Sequence, residues 1–397
     1  MPRPNVLYIS YDGMLEPLGQ SQVIAYLEKL ADEYAFRILS FEKPADRADA
    51  AKVAALKARL DAAGIIWHPM TYHKSPSVPA TLFDLAMGTI MAIWLCWRHR
   101  VRIIHARSYV PALMGRIAKT LSGAKLLFDM RGLWADERTD GGIWPPGGGV
   151  YRAVKGLERR LLLASDHVVT LTHNSAREIA SFDYLQGRNV RLDVIPTCAD
   201  LERFRPDPEI RPDCFTFGYL GSVGTWYMFD EVLDCFALIR QHIPDARLLV
   251  VNRKEQDFIR AKIAEHGIPT QAVEITSADH RDVPKMVARM SVGAAIIKPV
   301  YSKIASAPTK LAEYLGCGVP CLGNVGVGDM KEILEDEGTG VALTGFDKTD
   351  LAAGVERLLK LAEDEGLAAR CREVALRLFS LDGGVADYRR IYAGLLA

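Results

Sequence analysis

The residues best suited to chemistry lie between Ile296 and Leu334, in the stretch IIKPVYSKIASAPTKLAEYLGCGVPCLGNVGVGDMKEIL. It holds cations at Lys298, Lys303 and Lys310, hydroxyls at Ser302, Ser306 and Thr309, one acid at Glu313, and glycines at 323, 326 and 328. The apolar run Val292 to Ile297 reads as a buried strand end. Pro308 suits the first turn of a helix, where a missing N–H costs nothing. That helix is predicted from Thr309 to Leu315, stopping at Gly316. A short strand, Cys321 to Leu322, then leads through the glycines to a second helix near Asp329. Such a unit sets helix N-termini and backbone amides at the carboxyl edge of a parallel sheet, where a diphosphate is a natural guest. Glu313, one turn inside the helix, can accept from a ribose diol. It can equally be an ordinary surface carboxylate, and each lysine can equally be solvated.

The elements that must position these groups alternate strand and helix along the whole chain. Strands are predicted at Val6–Ser10, Phe36–Phe41, Ile65–His68, Ile103–His105, Lys125–Asp129 and His167–Leu171, with helices between them. The pattern pauses at 190–212, a proline-bounded connection, and restarts with a strand at Thr216–Leu220. This alternation requires parallel sheets covered on both faces. Polar clusters follow strands at 11–21, 105–109, 129–138 and 172–175, the edge at which such sheets bind ligands. The expected fold is α/β: two doubly wound Rossmann-like domains facing a cleft. The first is expected over 1–192, a linker over 193–212, the second domain over 213–375, and a helix over 376–397 returning to the first domain.

Composition bounds the function. The chain has 397 residues, too many for one ordinary core. Formal net charge is zero, which argues against bulk nucleic-acid binding. Seven scattered cysteines without a CxxC pair suit a reducing compartment better than a disulfide framework or a zinc site. No signal peptide is visible before the first strand, so a cytoplasmic location is expected. Leu82–Trp97 is strongly apolar, contains Asp84 and ends in Arg98-His99-Arg100-Val101-Arg102. It is short for a membrane span. Two readings stay open for it, a buried core helix with a basic end and an amphipathic contact with a membrane surface.

Three motifs in this order resemble those of GT-B glycosyltransferases of the retaining family 4 group. VIPTCADLERFRP at 194–206 resembles the interdomain motif VIPNGVDLERFRP, Tyr219-Leu220-Gly221 resembles the opening of the second domain, and PTKLAEYLGCGVP at 308–320 resembles the donor-site signature. SYDG…PLGQSQV and DMRGLWADER look like a branch that builds exopolysaccharide or cell-surface glycans.

The resemblance implies a nucleoside diphosphate sugar held by the second domain. Gly221, Ser222, Arg253, Lys254, Lys298, Lys303, Ser306, Thr309 and Glu313 are its expected donor-binding residues. Glu313 matches the second acid of an E-x7-E motif and would hold the ribose. Ala305 stands where the first acid belongs, and the 222–227 loop lacks the arginine and lysine usual there. Gly13, Gly19 and Gln20 fall in the loop matching an acceptor and phosphate loop. His105 falls where a strand-end histidine lies near the donor sugar and can act in proton transfer. Asp129 and Arg131 join it as catalytic candidates. With Asp136, Glu137 and Arg138 they can orient an acceptor hydroxyl or pair internally. The implied reaction passes a sugar to a glycan or lipid-linked glycan acceptor, with retention. No Asp-x-Asp motif stands beside the site, so neither a metal nor another cofactor is expected. The implied partners are the nucleoside diphosphate sugar and the glycan or lipid-linked glycan acceptor, without nucleic acid, and a peripheral contact with the inner face of the cell membrane stays open with the second reading of Leu82–Trp97. Two alternatives remain, a non-hydrolysing nucleotide-sugar epimerase and a GT-B scaffold that binds a nucleotide sugar without turnover.

Overall fold

The computed structural model describes residues 3–210, 212–279 and 281–397. The chain forms two compact units: one takes in the chain up to Ile195 together with Leu381–Ala397, and the other is Pro196–Ser380.

Among the described residues, the sheet of the first unit contains β1 (Asn5–Ser10), β2 (Ala35–Glu42), β3 (Ile66–Thr71), β4 (Ile103–Arg107), β5 (Lys125–Asp129), β6 (His167–Thr170) and β7 (Leu192–Val194). Their order is β3-β2-β1-β4-β5-β6-β7, and all pairs are parallel. The sheet of the second unit contains β8 (Thr216–Leu220), β9 (Arg247–Val251), β10 (Val273–Thr276), β11 (Val292–Ala294), β12 (Cys321–Asn324) and β13 (Gly340–Leu343), ordered β10-β9-β8-β11-β12-β13. Central strands such as β1 and β8 are apolar on both faces, because helices cover both sides of a parallel sheet. Strand order reverses between β1 and β4 and between β8 and β11. Each reversal opens a crevice beyond the strand ends, and both candidate sites form there.

The first β-to-helix connection differs from expectation. The helix predicted from Gln22 begins at Pro17, passes through a π-helical turn at Gln20–Ile24 and ends at Leu30. The loop before it is anchored by the buried Glu42 carboxylate, which accepts from the Met14 and Leu15 amides and from the Ser40 hydroxyl. The C-terminal segment, expected as one helix over 376–397, is broken by extended Ser380 into Leu367–Phe379 and Leu381–Leu396. The latter packs within the first unit, burying Tyr388, Ile391, Tyr392 and Leu395.

The apolar 82–97 segment lies in a helix, Ser77–His99. It is not a buried core helix. One side, with Ala80, Asp84, Ala92 and Leu95, packs inward, and the other is exposed.

Candidate functional site

In the second unit the Thr309–Gly316 helix is fixed from beneath by Tyr314. Its hydroxyl accepts from the Leu220 amide at 2.9 Å and donates to the Ala294 carbonyl at 3.3 Å, tying the helix to the ends of β8 and β11. Gly293 makes room for this ring, since a Cβ there would lie 2.6 Å from it. Asn324 clamps the neighbouring turn, accepting from the Ile297 amide and donating to the Ile297 carbonyl. At the helix's far end, Arg372 donates to the carbonyls of Leu201, Phe204 and Gly316. Pro308 is the N-cap and, among the described residues, no side chain caps the helix, so the Thr309 and Lys310 N–H groups can meet a ligand, while the Leu311 amide donates to the Pro308 carbonyl.

The 221–227 loop supplies aromatic rings where cations were sought. Gly221, at φ +104°, turns the chain out of β8, and the Asn252 amide donates to its carbonyl. Glu255 accepts from the Val223 amide and from Asn252. The loop thereby sets Trp226 and Tyr227 over two lysines from later in the chain. Lys303 Nζ lies 3.8 Å from the Trp226 ring centroid, and Lys310 Nζ lies 4.0 Å from that of Tyr227 and 4.4 Å from that of Tyr219. Lys310 Nζ is buried and, among the described residues, has no hydrogen-bond partner. Burial lowers its pKa to about 7, with the charges of Cys321 and Glu313 opposing. Glu313, one turn on, is pushed the other way: burial raises its pKa to about 7 against the pull of Lys310 and Arg203. The two groups are thus poised to change charge near neutrality.

Other expected donor residues fare differently. Ser306 and Thr309 are half-buried at the entry to the helix. Lys298 is exposed, with its amide donating to the Trp226 carbonyl. Ser222 is exposed and its carbonyl accepts from the Tyr219 hydroxyl at 2.5 Å. Arg253 is exposed, and its guanidinium donates to the Ala278 carbonyl and to Asp279. Lys254 is exposed beside it. The Gly328 amide, one of those expected to meet an anion, donates to the Lys303 carbonyl. Ala305 is buried.

In the first unit a cavity of about 580 Å³ opens beyond the ends of β1 to β4. Tyr11, Phe41, Tyr72, Tyr109, Trp134 and Trp144 give it flat apolar walls, while Asp12, Lys43, Arg107 and Arg138 add charge. Faces of this kind suit the apolar sides of sugar rings, with charged groups fixing orientation. Arg107 is held by Asp129 at 3.5 Å and Asp12 at 3.7 Å. Asp129 is buried and also pairs with Arg131 at 3.5 Å. Burial works to raise its pKa, but Arg131, His105 and Arg107 outweigh it and hold the carboxyl below the usual range.

His105 is corrected in place. β4 runs two residues beyond it, so it sits mid-strand rather than at the open edge. It is only 2% exposed, packed against Tyr8 and Tyr388 with Nδ1 at 2.7 Å from the Tyr392 hydroxyl. The residue at the edge is Arg107. Asp136, weighed as an acceptor ligand, pairs internally with Tyr151 and Lys155. Gly13 and Gly19 are positions of close packing: a Cβ on Gly19 would lie 2.3 Å from the Gly13 carbonyl oxygen. Gln20 donates to the Met14 carbonyl and accepts from Arg59, bracing the loop from its own side.

The sequence reading missed Arg107, Asn252 and Glu255, and gave Lys310 too little weight. Two of them carried a signal: Lys310 by its place inside the 308–320 motif, and Arg107 by its place in the polar cluster at 105–109.

Comparison with known proteins gives two family matches. Residues 200–376 match the model for glycosyl transferases group 1, and residues 22–198 match the glycosyl transferase 4-like domain. No curated protein matches. Solved structures with the same fold include a sucrose-phosphate synthase from Thermosynechococcus elongatus, at 16% identity and TM-score 0.74, covering 99% of each chain. A glycosyltransferase from Rickettsia africae is 14% identical with TM-score 0.72, covering 100% of this chain and 99% of its own. HepE of Anabaena, in complex with UDP-glucose, is 17% identical with TM-score 0.67, covering 98% and 99%.

Proposed function

Because this chain is a GT-B glycosyltransferase, matched by glycosyltransferase models in both halves, we propose that it moves a sugar from a nucleoside diphosphate sugar to a glycan or lipid-linked glycan acceptor. The observation that carries the reading is the Lys303–Lys310–Glu313 group beside an uncapped helix N-terminus. In it Glu313 takes the ribose diol. Lys310, Lys303 and the first N–H groups of the helix take the diphosphate, with Gly221, Ser222, Ser306 and Thr309 around it. Charge builds on the leaving diphosphate in the transition state, and fixed cations and amides aimed there lower the barrier. Retention and a place in exopolysaccharide or cell-surface polysaccharide synthesis belong to the same reading, as does action without a metal at the cytoplasmic face of the membrane.

The acceptor is assigned to the aromatic cavity of the first unit. There Arg107 touches it, and Asp129, Arg131 and His105 position Arg107 from behind. HepE binds UDP and UDP-glucose, so UDP-sugars are the first donors to try.

The test is a thermal-shift and calorimetric screen of UDP-, GDP-, ADP- and dTDP-sugars, followed by transfer assays with the donor that binds. Stabilisation by one nucleotide class, weakened in Glu313→Ala, supports the assignment. Unchanged affinity in that variant removes Glu313 from the ribose. The buried Ala305 in place of a sugar-facing acid favours one second reading, a scaffold that binds the donor without turnover. Binding with neither transfer nor donor hydrolysis would select it.

A further inference from the structure

The Ser77–His99 helix carries an apolar face that the rest of the first unit leaves exposed among the described residues. By length and composition it could cross a membrane. Its packing argues against that. Gly88 is pressed so closely on Met114 and Phe41 that a Cβ would lie 2.8 Å from each, and Ala92 and Leu95 are fully buried. The helix is one of the covers of the first unit's sheet and cannot leave it without opening that core.

Its outer face is another matter. Val78, Leu82, Phe83, Ile90, Trp94 and Trp97 are each more than half exposed, and they recur at helical spacing. Leu121 of the adjoining Tyr109–Ser122 helix extends the patch, and Trp97 Nε1 donates to its carbonyl, pinning the indole at the surface. The sole acid of the Ser77–His99 helix, Asp84, points inward. It accepts from the Tyr11 hydroxyl and the His73 amide, and its other oxygen lies 2.5 Å from His73 Nδ1. At the helix's C-terminal end stand Arg98, Arg100 and Arg102, all exposed. Among the described residues none of the three is ion-paired.

An apolar stripe edged by tryptophans and ending in uncompensated arginines is the pattern of a helix lying in a bilayer interface. The rings sit at headgroup depth and the cations meet anionic lipid. We propose that this helix docks the first unit onto an anionic lipid bilayer, lying along the surface rather than through it. Thr81 of the same helix lines the aromatic cavity, as does Tyr11, which Asp84 holds. Docking would therefore bring the cavity to the level of lipid headgroups. A lipid-linked acceptor could present its glycan there while its chain stayed in the bilayer. That purpose rests on the reading of the acceptor above; the docking surface itself does not.

The test is flotation of the full-length protein with vesicles of phosphatidylcholine alone and with about 30% phosphatidylglycerol. The expected result is binding at least about tenfold stronger to the anionic vesicles, weakened as salt rises from about 0.05 to 0.5 M. Ile90→Ser combined with Trp94→Ser should reduce binding about tenfold or more, and Arg98→Glu with Arg102→Glu should do the same. Circular dichroism and thermal melting confirm that each variant is folded, with Trp97→Ala as a milder substitute. Failure of the wild type to bind anionic vesicles, or equal binding by the folded variants, overturns the proposal. So does a concentration-dependent dimer abolished by the Ile90 and Trp94 changes without vesicle binding, which would give this face to a second copy. Donor binding measured in parallel separates the two readings: it should be unchanged in these variants. Its absence from the wild type would sink the assigned activity while leaving the docking surface standing.

Discussion

The Lys310 ammonium stands 4.0 Å from the centroid of the Tyr227 ring, and no hydrogen-bond acceptor among the described residues meets it. A cation held only by ring faces is stabilised less than one paired with oxygen, and it is ready for an anionic ligand. Replacing Lys310 by Met should weaken donor binding about ten- to a hundredfold, the worth of a charge-assisted hydrogen bond. The same change should raise the melting temperature of the ligand-free protein at pH 6, because a desolvated charge is removed. Calorimetry and thermal melts read both effects.

The titrations of Lys310 and Glu313 make stability and binding pH-dependent in opposite senses. Lys310 has a folded pKa near 7, below its unfolded value. Between the two the unfolded chain binds more protons, so this group makes stability rise with pH above 7. Glu313 has a folded pKa near 7, above its unfolded value. Its contribution is full at acid pH and is lost as pH rises through 7. Diphosphate binding needs Lys310 charged, so donor binding should take up a proton at pH 7.5 to 8. Calorimetry in buffers of different ionisation enthalpy should detect that uptake in the wild type and lose it in Lys310→Met.

Tyr314→Phe should destabilise the protein by about 1–3 kcal/mol, because the buried Leu220 amide loses its acceptor. Urea unfolding measures this. Donor affinity should also fall, since the helix bearing Glu313 is then less firmly held at the ends of β8 and β11.

Asp129→Asn should cost about 3–5 kcal/mol, since Arg107 and Arg131 keep their charges inside the unit without the carboxylate between them. The wild-type carboxyl titrates below the usual aspartate range. Its stabilisation is present above the unfolded aspartate value and is lost as pH falls, so acid unfolding of the variant should begin from a lower plateau with a shallower slope.

Much of the architecture was legible because strand and helix periods differ and the central strands are apolar on both faces. β10 escaped notice because it is a short edge strand, with Glu274 outward and no continuous apolar run. The helix starting at Pro17 was hidden by Gly19, whose close approach to the Gly13 carbonyl oxygen rather than a loop explains the glycine. At the donor site, Glu313 and the lysines stood out by type and spacing. Their aromatic partners did not, because Tyr219, Trp226 and Tyr227 belong to another strand and its loop, and only the sheet order brings them together. His105 was misjudged by two residues of strand length. That was enough to move it from the open edge into the packing around Tyr392.

The Leu381–Leu396 helix belongs to the first unit although it follows the whole second unit in the chain. During synthesis, residues up to Ile195 leave the ribosome long before this helix exists, with the surfaces of Tyr26, Tyr34 and His105 that it covers still uncovered. The first unit can collapse early but finishes late, after the whole second unit has emerged. For that interval its newly made sheet presents an aromatic surface to which chaperones or other nascent chains can bind. A truncation that removes this helix would therefore damage the half of the protein that was made first.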